Sequence, residues 1–351
     1  MKEDKDFLAD LLSAYSPSGL EQDAIHVWNC YCTNLGLNPY YSDKIGNHAY
    51  SLGNGPEKIL LSGHIDEVNA RVIHIDADGN IAITSTGGMC RKSLIASEVT
   101  ILGDKGPVKA IIGKKPIHLE SLKERGLVEE FEDLRLDVGA ESREEVEALG
   151  ICPGSIVVYK RNVDVDFGPH RIVSNSLDDK LAVYITAIIM KHLQASVSQW
   201  GSKYTVIGMA AAQEETGCRG AQIAAHNVNP DISIDFDVTF ATDGGFGIKK
   251  DKHGDIQLGK GGVIQYGPDK SIRIANLLKE VCRKHNILFQ TAAGRCGGTN
   301  TNQIQLMSAN CETMLVSIPN RNMHTPVETC DWRDVQSIID MTVAIIEDKM
   351  L

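Results

Sequence analysis

The chain has 351 residues, 42% hydrophobic and 23% charged, with 46 acidic and 35 basic side chains and a formal charge of −11. That length suggests two domains, or one large domain carrying an insertion, and the composition excludes a disordered or fibrous chain. No basic stripe accompanies the acidic excess, which argues against nucleic-acid binding by phosphate neutralisation.

The first segment, MKEDKDFLADLL, is charged and helix-like and lacks the apolar core of a signal peptide. Phe7, Leu8, Leu11, Leu12 and Tyr15 recur at helical spacing. Ser16-Pro17-Ser18-Gly19 breaks that helix, and a second begins near Leu20 with Ile25 and Trp28 on one face. Lys58–Ser62 is a short buried strand ending at Gly63. After Asn69 the chain turns β-rich, with runs at Arg71–Ile75, Ile81–Thr84 and Ser155–Tyr159. One helix interrupts this stretch, opened by the capping-box spacing of Ser142 and Glu145 and ended by Gly150. From Ser174 strand and helix alternate again. Leu181–Leu193 reads as an amphipathic helix, and Ile272–His285 and Asp331–Lys349 as helices; Tyr204–Ala211, Ile232–Phe236 and Met314–Ile318 read as strands. The longest apolar stretch, Leu181–Met190, is about half the length that spans a bilayer, so no membrane partner is expected. Alternation of this kind implies an α/β fold, a mostly parallel sheet flanked by helices. The expected division is 1–69 plus 167–351 as one α/β domain, with 70–166 as an inserted β-rich domain. Nine cysteines, an odd number without a Cys-x-x-Cys, fit buried thiols in a reducing cytoplasm.

Five segments place acidic or histidine side chains after strands or at strand-to-helix junctions, where parallel sheets form their ligand sites. His64 and Asp66, two apart, face the same way on an extended chain; they would form a metal-bound imidazole with its supporting carboxylate, or a simple strand cap. Asp178 and Asp179 open a helix, where Asp is also a common cap. Glu214 and Glu215 end an apolar strand. As neighbours on an extended segment they point oppositely and cannot share one job. Asp235 and Asp237 sit inside a β-branched strand, where Asp is depleted. His324 follows the Met314 strand and is ordinary on its own. Taken together, a series of His, Asp, Glu, Asp and His at separate strand ends offers oxygen and imidazole ligands without thiolate, which suits Zn, Co or Mn. Gly254, Gly259, Lys260 and Gly261 approach a phosphate loop but lack the hydroxyl residue after Lys that its mechanism needs.

The ordered motifs Gly63-His64-Ile65-Asp66-Glu67-Val68, Leu177-Asp178-Asp179-Lys180, Gln213-Glu214-Glu215-Thr216-Gly217, Asp237-Val238-Thr239 and Arg321-Asn322-Met323-His324-Thr325-Pro326 resemble the tetrahedral, glutamyl- and leucyl-type dinuclear metallo-aminopeptidases. Ser16–Gly19 and Leu136–Ala140 extend the likeness nearly end to end. The resemblance implies the co-catalytic zinc peptidase fold with a small β-barrel or PDZ-like insertion. It implies two divalent ions: His64 and Asp237 hold one, Glu215 and His324 the other, and Asp178 bridges them. Glu214 is then the general base, Asp66 orients His64, and Asp179 supports from behind. The substrate is a short peptide with a free N-terminus, and the assembly a homo-oligomer, a tetrahedral dodecamer. An N-acyl amino acid deacylase or carboxypeptidase-like hydrolase would use the same site, and a peptide-binding scaffold would use none of it. Two positions depart from the pattern: Asn69 replaces a Gly at an expected turn, and Asn300 replaces an Asp in Gly297-Gly298-Thr299-Asn300.

Overall fold

The computed structural model describes residues 2–294 and 298–351, so Gly297 of the last motif lies outside the described residues. Packing divides the chain into two units. The larger comprises Met1–Glu67, Val163–Met323 and Val327–Leu351; the smaller comprises Val68–Asn162 and His324–Pro326.

The larger unit is built on an eight-stranded sheet in the order Asn38–Ser42, His48–Gly53, Tyr204–Ala211, Glu57–His64, Ile232–Phe240, Glu312–Asn320, Gly262–Tyr266 and Phe289–Ala293. The four central strands, Tyr204–Ala211 to Glu312–Asn320, run parallel. Their near-continuous apolar runs, such as Ile59-Leu60-Leu61 and Met314-Leu315-Val316, are what a sheet covered on both faces demands. Antiparallel pairings at His48–Gly53 and Gly262–Tyr266 make the sheet mixed toward its edges. The sequence pattern marks the central strands and misses the outer ones, which are short and carry Pro39, Gly53 and Gly262. It also misses the helices Arg219–Val228 and Asn300–Met307. Val163–Phe167 pairs with Arg171–Ser174 within the larger unit rather than with the β-rich segment that precedes it.

The helix expected at Leu181–Leu193 runs from Leu177 to Trp200, and every residue from Leu177 to Met190 is buried. At 24 residues it is long and apolar enough to cross a bilayer, yet most of it is buried inside the protein. A helix that is apolar on all sides belongs in a core, and this one packs with Ile59, Leu61, Val206, Ile234, Val335 and Ile338 in one cluster. Its start lies close against the strand Glu57–His64. A Cβ on Gly63 would stand 2.5 Å from the Cβ of Ala182 and 2.9 Å from its carbonyl carbon, so only glycine permits this approach.

The smaller unit is a closed barrel ordered Asn69–Ile75, Ile81–Thr86, Arg135–Asp137, Gly106–Ile112, Glu98–Gly103 and Ile156–Tyr159. Alternating side chains, Ile81 and Ile83, Val99 and Ile101, Ala110 and Ile112, fill its interior with Val72, Leu136 and Val157. The helix Arg143–Ala148 is capped by Ser142, whose Oγ accepts the Glu145 N–H at 3.2 Å. Glu145 reaches back to the Glu141 N–H at 2.8 Å. Gly150, at φ +85°, follows the end of this helix, as the sequence suggests. Asn69, expected at a turn, begins an extended strand. The missing glycine is therefore tolerated because no left-handed backbone is required there.

Candidate metal centre

His64 ends one central strand, Asp237 lies in the next, and Glu214 and Glu215 follow the strand Tyr204–Ala211, whose Ala211 is in register with His64. Asp178 and Asp179 stand at the start of the long buried helix. Their backbone there is not helical, and the peptide between them is cis. The parallel register thus brings side chains from residues 64 to 237 to one end of the sheet.

Two groups of potential ligand atoms converge, each within 4.8 Å of one another: His64 with Asp179 and Asp237, and His64 with Asp178 and Glu215. His64 is fully enclosed. Its Nδ1 lies 3.1 Å from the Asp66 carbonyl oxygen and 3.3 Å from Asp66 Oδ1, so it carries the proton and leaves Nε2 to face the cluster. Nε2 is 3.1 Å from Asp178 Oδ1 and 3.9 Å from Glu214 Oε2.

Asp66 is a hub. Its Oδ1 accepts the Glu214 N–H at 2.8 Å, and its Oδ2 accepts the Glu215 N–H at 3.2 Å and the Ser18 hydroxyl at 2.6 Å. Asp178 donates its N–H to Glu328 Oε2 at 2.9 Å. Asp179 Oδ2 accepts the His64 N–H at 3.2 Å, and its Oδ1 is buried without a hydrogen-bond partner. Asp235, the other acid of the fourth motif, is held by Ser62 Oγ at 2.6 Å and Thr301 Oγ1 at 3.3 Å. Asn300 opens the helix Asn300–Met307 as a buried residue whose amide oxygen and nitrogen both lack partners.

His324 belongs to the smaller unit. There its Nδ1 donates to the Gly88 carbonyl oxygen at 2.9 Å, and its own carbonyl accepts the Tyr159 hydroxyl at 2.9 Å. It is in neither converging group.

Electrostatics set the character of the cluster. Burial, then the neighbouring Glu215, Asp66 and Asp178, push Glu214 up to about 8 against the opposing pull of His64. Burial first, then Asp237, raises Asp179 well above the usual carboxylate range; burial, then Asp178 and Glu214, does the same to Asp237. Burial alone would depress His64, but the hydrogen bonds to Asp178 and Asp66 outweigh it and hold its pKa well above normal. Five carboxylates around one imidazole are a charge excess that protons relieve in the metal-free site and added cations would balance. The oxygen and imidazole donors, together with the unpartnered Asp179 Oδ1, fit divalent metal.

Sequence reasoning singled out every member of both groups. It named Asp66 as a support but gave no role to the other supporting residues. Ser18 lay in a segment read as a helix breaker and as part of the family likeness, Glu67 was noticed only as part of a motif, and Glu328 gave no signal at all.

The sequence profile of the M42 glutamyl aminopeptidases matches residues 46–341. A lysyl aminopeptidase of Pyrococcus furiosus is 32% identical over 311 residues, covering 87% of this chain and 86% of that protein. A TET aminopeptidase from a marine sediment thaumarchaeon superposes with a TM-score of 0.92 at 27% identity, covering 99% of this chain and 96% of that one. A TET1 peptidase of Pyrococcus horikoshii, which can assemble into a tetrahedron or a large octahedral shell, superposes at 0.84 with 26% identity, covering 97% and 98%. With its site geometry, its fold and a profile match over most of its length in agreement, the chain belongs to the M42 glutamyl aminopeptidase family and is a metal-dependent aminopeptidase.

Proposed function

We propose that this enzyme releases the N-terminal residue of short peptides at a pair of divalent ions, zinc or cobalt with manganese as a third choice. His64 and Asp237 hold one ion, Glu215 and His324 the other, and Asp178 bridges. The observation that carries this reading is the convergence of Asp178, Asp179, Glu215 and Asp237 on His64, with Glu214 Oε2 3.9 Å from its Nε2. When bound, such a metal pair acidifies a water and polarises the scissile carbonyl.

The chain's own residues do the rest. Glu214 keeps one oxygen, Oε1, on the Cys218 thiol at 3.2 Å, while Oε2 faces the cluster, 3.9 Å from His64 Nε2. That free oxygen takes the proton of the attacking water and delivers it to the leaving amine. Asp66 fixes the His64 ring and the Glu214–Glu215 backbone together, so the ligand and the base keep their spacing. The assembly is a homo-oligomer, a tetrahedral dodecamer as in the TET relatives. The compartment is the cytoplasm, in keeping with eight described cysteines that are all free thiols.

Glu214→Gln is the test. It should keep the metal content of the wild type and lower turnover of aminoacyl-anilides by about 10²–10⁴-fold, the usual worth of general acid–base help. Full activity in that variant overturns the assignment. Cleavage of N-acyl amino acids in place of aminoacyl-anilides would mean a deacylase with the substrate in the opposite polarity.

A further inference from the structure

Beside the cluster lies a second buried charged group that the hydrolytic reading leaves unused. Glu67 is 2% exposed and Lys180 is fully buried. Burying two charges is costly and is justified only where each finds strong partners. Glu67 Oε2 accepts the Ser176 hydroxyl at 2.8 Å. Its Oε1 accepts the Ser16 N–H at 2.9 Å and lies 3.5 Å from Lys180 Nζ. Lys180 also donates to the Ala14 carbonyl at 2.7 Å. The Glu67 backbone bonds Ser16 and Ser18 in turn, Glu67 N–H to Ser16 O at 2.9 Å and Ser18 N–H to Glu67 O at 3.3 Å.

The placement of these partners is the informative part. Ser176 and Lys180 flank Asp178 and Asp179 on either side, at the non-helical corner that opens the buried helix. Glu67 directly follows Asp66, the hub that holds His64, Glu214 and Glu215. One carboxylate thus ties both ends of the Asp178–Asp179 corner to the segment that carries the His64 support, with the Ser16–Ser18 loop clamped between them. We propose that Glu67, neutralised by Lys180, is a positioning residue that sets the reach of Asp178 and Asp179 toward His64.

This inference rests on the metal-site reading above, and its test keeps the two separable. The double variant Glu67→Gln, Lys180→Met removes both charges and nearly keeps volume. If the pair serves stability alone, replacing a buried ion pair by neutral groups leaves metal affinity and turnover unchanged. If it positions the corner, competition with a chelator should show metal affinity down by about 10–100-fold, the usual effect of losing a ligand's support. In the same variant kcat should fall while KM for an aminoacyl-anilide stays put, and the thermal midpoint should hold. Wild-type metal affinity in the double variant overturns the proposal. If that variant does not fold, Ser176→Ala removes one donor from Glu67 without removing a charge, and unchanged affinity there overturns it equally. The affinity measurement needs no activity, so failure of the metal-site reading, seen as a wild-type protein that retains no divalent metal, is recognised on its own.

Discussion

Asp66→Asn is the substitution whose consequence the geometry defines most closely. The wild-type carboxylate accepts the Glu214 N–H at 2.8 Å on Oδ1, and the Glu215 N–H at 3.2 Å with the Ser18 hydroxyl at 2.6 Å on Oδ2. An amide keeps one acceptor. Its best placement leaves the oxygen on Glu214 and turns the NH₂ toward Ser18 and Glu215. The Ser18 hydroxyl can rotate and accept, but the Glu215 N–H cannot, and it is left as a buried donor facing a donor. Such an orphan costs about 1–3 kcal/mol. In a domain of this size that lowers the thermal midpoint by about 2–4 °C per kcal/mol. The same change weakens the hold on the His64 ring, for which a loss of about 10–100-fold in metal affinity or activity is expected. Thermal melts of the metal-free protein, with chelator competition and kcat on the loaded protein, read both effects. A variant with the wild-type midpoint and full turnover would falsify the view that Asp66 couples the histidine to the Glu214–Glu215 corner.

Two further outcomes are expected. Gly88→Ala places a Cβ 2.5 Å from His324 Nδ1 and 2.7 Å from its Cε1, so the ring must move and its bond to the Gly88 carbonyl is lost; metal analysis should show one of two ions retained weakly, and two tightly held ions would remove His324 from the ligand set. Asp331 accepts the Arg333 N–H at 2.9 Å as the cap of the closing helix and pairs with Arg171 and Arg333. Burial pushes its pKa up, but the Arg333 hydrogen bonds and the two guanidinium charges win and hold it below the ordinary 3.8. A depressed folded-state pKa contributes stability above pH 3.8 that is lost as pH falls through the folded value. Asp331→Asn, which can still cap, should therefore lose less stability on acidification below that pH than the wild type does. Equal acid losses in melts of the two proteins would show that Asp331 is not a linked group.

Much of this protein is legible without coordinates, for identifiable reasons. The central strands announce themselves because a sheet covered on both sides needs unbroken apolar runs, as at Ile59–Leu61 and Met314–Val316. The buried helix announces itself by the apolar run Leu181–Met190, but its pattern reads as amphipathic and only the structure shows it enclosed on all sides. His64, Asp178, Glu215 and Asp237 stand out because carboxylates and imidazole after apolar strands contradict burial unless something uses them. What stays hidden is whatever depends on pairing over distance. The edge strands Asn38–Ser42 and Phe289–Ala293 have little apolar pattern and exist because neighbours supply their hydrogen bonds.

The sequence by itself determined the residue types at the strand ends, and with them the metal chemistry, because ligand identity is a local property. Tertiary structure alone decided the rest of the site. It put Asp179, expected only as support, as close to His64 and Asp237 as a ligand would be. It turned Ser18, Glu67, Ser176 and Lys180 from loop and helix-start residues into one buried brace. No local pattern encodes that brace: its members lie 49 and 113 residues apart for Ser18–Glu67 and Glu67–Lys180, and only the packing of the Gly63 strand against the Ala182 helix brings them within hydrogen-bond reach.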